Sequence, residues 1–204
     1  MKMNSNLFVL FSTAFLLSSP IASAASKVDG DKPTFDDLQS PNIQLPNSKR
    51  FTPNDWLEVE AKIKVQLSPE PKSKTAKEVI VKWYVAVKNP EKPGTFLLLT
   101  KSITHINVPL NEDIYSSIYL SPNSIRLLTG SPRGGKNAVE FVGYEVFVDG
   151  EEKKTNTNKG KDKWWTMKSD KISEDSSIPL LSKNDTPFSI FWYDRYAEIK
   201  PDNR

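Results

Sequence analysis

The sequence predicts an all-β protein, built as an antiparallel β-sandwich with one or two short helices. The prediction rests on about seven short β-patterned segments, turn signals between them, and little room for the crossover helices of a parallel sheet. An oligonucleotide-binding-fold barrel is the main structural alternative. The chain has 204 residues, of which 37% are hydrophobic and 26% charged, and this composition fits one globular domain.

Alternating apolar and polar side chains mark the first strand of this sandwich. From Leu57 to Leu67 every second residue is apolar, and the residues between are glutamate, lysine or glutamine. This pattern is typical of a strand with one buried face. The other predicted strands cover residues 79–87, 96–108, 114–120, 138–148 and 151–155, with two further short strands at residues 164–167 and 178–181.

A single short helix and one tight hairpin interrupt the predicted strands. Ser121 is a suitable N-cap, Pro122 suits the first helical turn, and Gly130 is a suitable end. The pair Asp149-Gly150 predicts a two-residue hairpin turn between consecutive strands. The helix is therefore expected to be a minor element of an otherwise β-sheet domain.

A secretory signal peptide is predicted at residues 1–24. Lys2 precedes an apolar run at residues 7–17, and small residues follow up to Ala24. The run is shorter than the roughly 20 apolar residues that a membrane-spanning helix needs. We therefore expect an exported protein with no retained transmembrane segment, located in the periplasm, at the outer membrane or on the cell surface. An ordinary type IV pilin is not expected, because such a pilin keeps an apolar amino-terminal helix.

The predicted signal peptide is followed by a segment that differs in composition from the rest of the chain. Residues 25–54 contain four prolines and show no sustained hydrophobic period. This composition predicts a Pro-rich extended linker, and a spacer is favoured over a segment that pairs with the domain. The globular domain is expected at residues 55–204.

The composition excludes several kinds of chemistry. There is no cysteine, which excludes disulfides, thiolate zinc sites, cysteine nucleophiles and lipid-modified cysteines. Lys plus Arg number 28 against 25 Asp plus Glu, and this net charge of +3 disfavours a nucleic-acid partner. His105 is the single histidine and is expected to be a hydrogen-bonded structural residue. We therefore expect a non-enzymatic protein without a cofactor or a metal.

Two polar motifs resemble ligand-binding motifs only in part. Residues 130–136 (GSPRGGK) match the glycine and lysine spacing of a phosphate-binding loop, but Asn137 stands where a magnesium-binding Ser or Thr is needed. The acidic residues at 36–37 and 112–113 lack the alternating spacing of a calcium loop. A basic loop between strands and solvated acidic side chains are the expected roles.

Two aromatic clusters contain the candidate binding residues. Trp164 and Trp165 follow five lysines at positions 153–163, and such rings stack on sugars or bases. The second cluster consists of Phe188, Trp192, Tyr193, Arg195 and Tyr196. Trp, Tyr and Arg are enriched at interface hot spots. Two roles remain open for the second cluster: plugging the open end of the sandwich, or docking a partner.

Several short motifs occur in order between about residues 55 and 201. They are residues 104–108 (THINV), 113–115 (DIY), 118–122 (IYLSP), 164–165 (WW), 183–188 (KNDTPF), 192–196 (WYDRY) and 199–201 (IKP). In this order and spacing they resemble a verrucomicrobial family of exported pilus-like proteins. The resemblance implies an immunoglobulin-like β-sandwich related in shape to archaeal type IV pilus subunits, encoded beside a type IV pilus-like apparatus. It implies no catalytic residues.

The leading hypothesis is a non-enzymatic, exported structural or interaction component of a type IV pilus-like assembly, whose partners are proteins of that apparatus. The alternative is a cell-surface carbohydrate-binding module that uses exposed aromatic residues, Trp164 and Trp165 in the first place. A secreted hydrolase is the weakest hypothesis, because no pair of catalytic carboxylates stands out in the sequence.

Overall fold

The computed structural model describes residues 25–42 and 52–201. The predicted signal peptide and residues 43–51 of the predicted linker lie outside the described residues. The described strands are β1 (Ala25–Gly30), β2 (Thr34–Gln39), β3 (Asp55–Ser68), β4 (Thr75–Lys88), β5 (Phe96–Pro109), β6 (Ile114–Leu120), β7 (Val139–Val148), β8 (Glu151–Thr157), β9 (Ile172–Glu174), β10 (Leu181–Ser182) and β11 (Glu198–Ile199). One α-helix, α1 (Pro122–Thr129), follows β6.

These strands form two sheets. The first sheet has the order β1-β3-β6-β10, and β2 pairs with β3 on the same edge as β1. The second sheet has the order β11-β5-β4-β7-β8, and β9 pairs with β5 on the same edge as β11. The pairings are antiparallel, except that β9 runs parallel to β5. The predicted all-β sandwich is thereby confirmed.

The core lies between the two sheets and is built from their inward-facing apolar side chains. Trp83 on β4 is fully buried at its centre, with its ring 5.4 Å from that of Tyr144 on β7. Its indole Nε1 donates a hydrogen bond to Ser116 Oγ on β6, at 3.3 Å. Trp83 therefore links the two sheets by packing and by a polar contact in a chain without disulfides.

The segment predicted as a linker differs most from expectation. Residues 25–30 and 34–39 form β1 and β2, which pair along opposite halves of the 14-residue strand β3. Val28 on β1 is buried, and Phe35 on β2 packs against the core. Alternating burial therefore exists here, but short strands rich in charged residues and separated by a proline carry too weak an apolar pattern to be recognised.

Two of the predicted short strands are also different in the structure. Trp164–Thr166 forms a 3₁₀ turn, and of residues 178–181 only Leu181 belongs to a strand. Ile178 and Leu180 are buried in the core as part of an irregular connection between the sheets. The apolar character of these residues predicts a strand, but a buried segment that crosses between two sheets has the same composition.

The predicted helix is confirmed as α1. Ser121 caps it, since its Oγ accepts a hydrogen bond from the Ser124 amide at 3.2 Å. Gly130 ends it in the left-handed region, at φ 77°. No helix among the described residues has the length and apolar character of a membrane span.

Candidate functional site

The carboxy-terminal segment, residues 178–201, crosses from one sheet to the other at one open side of the sandwich. Near its start, β10 pairs with β6 of the first sheet. Near its end, β11 pairs with β5 of the second sheet. The segment therefore closes this side, and most of the predicted partner-binding residues lie on it.

Aromatic rings attach this segment to the outer face of the first sheet. The Phe188 ring is buried and lies parallel to Tyr119 on β6, with centroids 5.5 Å apart. Trp56 on β3 contacts Phe188 edge-on at 5.8 Å. Trp192 covers the same cluster from outside, 6.4 Å from Phe188. Phe188 is therefore buried against the outer face of the first sheet, whereas the sequence interpretation placed it in the open end of the sandwich.

A network of carboxylates and phenols fastens the end of the segment to β3. Tyr119 Oη donates a hydrogen bond to Glu58 Oε1 at 2.6 Å, and Tyr196 Oη donates one to Glu60 Oε2 at 2.6 Å. Arg195 forms an ion pair with Glu60 at 2.7 Å. Burial raises the pKa of Glu60. The pKa of Tyr196 is also raised, mainly by burial and secondly by its hydrogen bond to Glu60. Arg195 and Tyr196 therefore hold the segment in place.

Lys183 fixes the loop between these two anchors. Its side chain is buried, and its Nζ donates hydrogen bonds to the carbonyl oxygens of Phe188 at 2.7 Å, Ser189 at 3.3 Å and Phe191 at 2.7 Å. The three N–H groups of the ammonium are matched by three carbonyl acceptors. Burial lowers the pKa of Lys183. The sequence pointed to no role for this residue, because a lysine in a polar stretch has no distinguishing pattern.

The loop held by Lys183 presents apolar side chains to solvent. In this aromatic loop, residues 189–193, the exposed fractions are 72% for Ile190, 52% for Trp192 and 63% for Tyr193. Leu127 and Met167 are the other large hydrophobic side chains exposed in the described part of the chain. The predicted second cluster is thus divided: Phe188 is buried, Arg195 and Tyr196 bind β3, and Trp192 and Tyr193 are accessible. Ile190 was missed, since a lone aliphatic residue in a turn gives no sequence signal.

Trp164 and Trp165 lie elsewhere, on the outer face of the second sheet. Trp164 is buried, and its Nε1 donates a hydrogen bond to Thr157 Oγ1 at 3.1 Å. The half-buried Trp165 stacks on Tyr84 with centroids 4.5 Å apart and planes 7° from parallel. A sugar-stacking ring needs a free face, which burial denies to Trp164. Both rings pack against their own sheet.

Three of the five lysines before this tryptophan pair form ion pairs with glutamates. Lys159 pairs with Glu140 at 2.6 Å and Lys163 with Glu152 at 2.6 Å. Lys153 pairs with Glu151 two residues earlier. The hydrogen bond from Lys163 holds the pKa of Glu152 below its usual value. The positive charge of Lys153, Lys159 and Lys163 is therefore compensated by neighbouring carboxylates.

His105 belongs to a buried polar chain between the sheets. Its Nδ1 lies 3.2 Å from the Ala197 carbonyl oxygen, and its Nε2 lies 2.9 Å from Ser116 Oγ. A carbonyl only accepts, so Nδ1 carries the proton, Ser116 donates to Nε2, and Ser116 accepts from Trp83. Burial lowers the pKa of His105 to about 4. His105 is therefore a buried, hydrogen-bonded residue, as expected from the sequence.

The two partial ligand motifs contact each other. Lys136, in the glycine-rich loop, donates from Nζ to Asp36 Oδ1 at 2.7 Å and from its amide to Asp37 Oδ1 at 3.0 Å. The hydrogen bond from Lys136 lowers the pKa of Asp36. These contacts attach β2 to the loop after α1. Within residues 25–42 and 52–201, no group of three acidic or histidine side chains is placed to hold a metal ion.

The fold and the site together define an all-β sandwich whose open side is closed by an aromatic carboxy-terminal segment. A family model matches residues 19–203. A crystal structure of a protein from Akkermansia muciniphila is similar, with a TM-score of 0.83 and 37% identity, covering 92% of this chain and 98% of that chain. No curated protein matches the sequence. The chain belongs to the same family as this Akkermansia protein.

Proposed function

We propose that this protein is a non-enzymatic, exported interaction component of a pilus-like assembly, and that it binds a protein partner through the aromatic loop. The observation that carries the proposal is the exposure of Ile190, Trp192 and Tyr193 on a loop whose backbone is fixed by Lys183. Trp and Tyr are enriched among the residues that dominate binding energy at interfaces.

The fixed backbone supports a binding role for the loop. Ordering side chains and loops on association opposes binding, and a loop that is already ordered avoids much of this cost. Lys183 orders the loop through its hydrogen bond to the Phe191 carbonyl oxygen. Trp192 adopts a left-handed backbone conformation, at φ 52°. Such a conformation costs about 1 kcal/mol or more in a residue other than glycine, and it persists where surrounding contacts impose it. The aromatic rings are therefore presented in a defined arrangement.

The pilus-like and exported parts of the proposal rest on the sequence. The motif resemblance is to a verrucomicrobial pilus-like family, and membership in the family of an Akkermansia protein supports its coarser part. Export rests on the predicted signal peptide at residues 1–24. The burial of Trp164 and the stacking of Trp165 on Tyr84 favour a protein partner over the glycan alternative.

Site-specific crosslinking in the native cell envelope tests this proposal. A photo-crosslinking residue at Ile190 is expected to capture proteins of the pilus-like apparatus, identified by mass spectrometry. The double substitution Trp192→Ala with Tyr193→Ala should reduce recovery of that partner at least about tenfold, since a hot-spot aromatic contributes about 2 kcal/mol or more.

Leu127→Ala is the matched control, because Leu127 is also exposed, at 61%, but lies on α1. It should leave partner recovery unchanged. Unchanged melting temperatures would show that the substitutions act on binding and not on folding. Equal capture of the partner by the double variant and the unaltered protein would refute a docking role for the aromatic loop.

A further inference from the structure

The outer edge of β5 is only partly covered by other strands. β9 pairs with residues 96–98 and β11 with residues 105–106 of this strand. Next to these ladders, Phe96 N donates a hydrogen bond to Lys171 O at 2.7 Å, Leu98 O accepts one from Asp175 N at 3.1 Å, and Thr104 O accepts one from Lys200 N at 2.8 Å. The even-numbered residues of β5 therefore direct their backbone groups to this edge, because successive residues alternate between the two neighbours.

The alternation places the backbone groups of Thr100 and Ser102 in the gap between β9 and β11. Among the described residues, no strand pairs with β5 at these two positions on this edge. Both residues are exposed. The distance along β5 from Leu98 to Thr104 is roughly 20 Å, at about 3.3 Å per residue. The stretch between Leu98 and Thr104 therefore corresponds to an added strand of about five residues, opposite residues 99–103. Beside Thr100 such a strand would border residues 174–176 and 178–180, which line a groove of about 290 Å³ together with Thr100.

A groove of about 460 Å³ opens at this gap. Residues 101–104 of β5 form one wall, and Asn184, Asp185 and Pro201 of the carboxy-terminal segment contribute to the other. A second groove, of about 310 Å³, shares Asn184 and Pro201 with the first and extends to Tyr193 of the aromatic loop. The two grooves are therefore neighbours along the carboxy-terminal segment, and the first is not lined by residues 189–193.

The groove also contains a lysine without a partner carboxylate. Lys101 lines it and forms no ion pair within the part of the chain that the structure describes. Lys200 on the rim pairs with Glu78, and Asp185 accepts a hydrogen bond from Ser182 at 2.6 Å. Lys101 is thus the charge that a ligand would complement, and a carboxylate is the matching group.

We propose that the gap binds an extended peptide segment of a protein partner, which adds a short strand to β5 opposite Thr100 and Ser102 and places an acidic side chain against Lys101. Backbone hydrogen bonds to an open sheet edge supply affinity in this mode, and side-chain pockets supply specificity. The inference rests on the proposed interaction role but uses a surface separate from the aromatic loop. The two surfaces can therefore be tested independently.

Titration of the full chain with short blocked peptides, followed by NMR, tests the inference. The probe is Ac-Thr-Val-Glu-Val-Thr-NH2, and the matched control peptide has Lys in place of Glu. The glutamate peptide should shift the amide signals of Thr100 and Ser102 and slow the hydrogen exchange of both amides. The lysine peptide and a peptide N-methylated on its backbone should each bind at least about tenfold more weakly, because each lacks one contact.

Two variants separate binding from folding. Ser102→Pro removes an amide that has no strand partner, and proline is tolerated at such an edge position. It should keep the melting temperature within a few degrees and abolish the peptide-induced shifts. Lys101→Gln keeps both backbone groups and should remove the preference for glutamate over lysine, whereas Lys92→Gln, in an exposed turn, should leave it unchanged.

Three results would overturn the inference. The first is the absence of shifts at Thr100 and Ser102 with millimolar peptide. The second is equal binding of the N-methylated peptide. The third is occupation of the gap by residues 202–204 of the same chain, which would appear as a loss of stability together with stronger peptide binding in a chain ending at Pro201. Loss of the partner in the Trp192 and Tyr193 variants would still support the proposed function in each case.

Discussion

The absence of a side chain at Gly143 leaves space for the ring of Trp165. A Cβ atom at this position on β7 would lie 2.1 Å from Cζ3 of Trp165. Gly143 is the cross-strand neighbour of Tyr84, on which Trp165 stacks. The missing side chain therefore creates the space in which Trp165 covers the second sheet.

Gly143→Ala is expected to destabilise the protein by about 1–3 kcal/mol, because an overpacked site forces side chains or backbone to move. Urea unfolding followed by tryptophan fluorescence measures the change. The double variant Gly143→Ala with Trp165→Ala removes the clash and should be no less stable than Trp165→Ala alone. If the double variant instead lost as much stability as the two single variants together, Gly143 would not act through the Trp165 ring.

Lys183→Met tests whether Lys183 fixes the conformation of the aromatic loop. The substitution keeps the length of the side chain and removes the donors to three carbonyl groups, so the aromatic loop should lose its fixed conformation. We expect hydrogen exchange of the amides at residues 188–193 to accelerate at least about tenfold, since each lost bond to a charged donor contributes about 1.5–3 kcal/mol. Lys168→Met, at an exposed position, is the control and should not alter exchange in the loop.

At the scale of elements, the amino-terminal strands belong to the sandwich. β1 makes six register pairs with residues 63–68 of β3, and β2 makes six with residues 55–60. The contacts of Lys136 with Asp36 and Asp37 hold β2 from the other side. The first sheet is therefore complete only with residues that composition alone assigned to a spacer.

A chain that begins at Asp31 and so lacks β1 should be less stable by at least about 2 kcal/mol, since the buried Val28 alone contributes about 1.5–3 kcal/mol. Chemical denaturation relative to a chain that begins at Ala25 measures the loss. Lys27→Ala, on the same strand with a side chain 69% exposed, should change stability by less than about 0.5 kcal/mol. Equal stability of the two chain lengths would restore the spacer interpretation.

At the scale of the whole molecule, one buried polar chain connects both sheets with the carboxy-terminal segment. It runs from Trp83 on β4 through Ser116 on β6 and His105 on β5 to the Ala197 carbonyl group. Each donor in this chain has an acceptor, so burial costs little. The neutral histidine is required for this pattern, because a protonated ring would donate from both nitrogens.

The stability of the fold should therefore depend on pH through His105. Burial lowers its pKa to about 4 from 6.5, so the unfolded state takes up a proton first as the pH falls. The stabilisation is complete above pH 6.5 and is lost between pH 6.5 and about pH 4, by about 3 kcal/mol. Glu60 acts in the opposite sense, because its pKa is raised in the fold.

The test compares the unaltered protein with His105→Gln by urea unfolding at several pH values between 4 and 7. The difference in stability between the two proteins should shrink as the pH falls, since glutamine does not titrate. A difference that stays constant over this range would show that His105 is not the responsible group.

The long strands were predictable because their signal is local. In β3 each alternate side chain faces the core, so period-two alternation in the sequence maps directly onto burial. The cap and end of α1 are also local, at Ser121 and Gly130. The irregular connection at residues 175–180 was not predictable, because its burial depends on sheets that are distant in sequence.

The candidate site was predictable in composition but not in arrangement. Trp192 and Tyr193 could be selected by residue type, whereas the burial of Phe188 depends on Tyr119 and Trp56 from two other strands. The role of Lys183 could not be predicted from the local sequence, because it depends on how the loop at residues 188–191 folds around its side chain. The gap at Thr100 and Ser102 could not be predicted either, because it depends on where β9 and β11 pair with β5.

The position of the closing segment in the chain also bears on how the protein is made. Translation produces a polypeptide from its amino end, and the segment that closes the open side leaves the ribosome after every strand that it covers. Until then Tyr119 is not covered by Phe188, and His105 has no hydrogen bond to the Ala197 carbonyl group. An incomplete sandwich therefore exposes apolar surface that is prone to aggregation. Chains that terminate early, before about residue 196, should thus be the ones that holding chaperones retain and proteases remove.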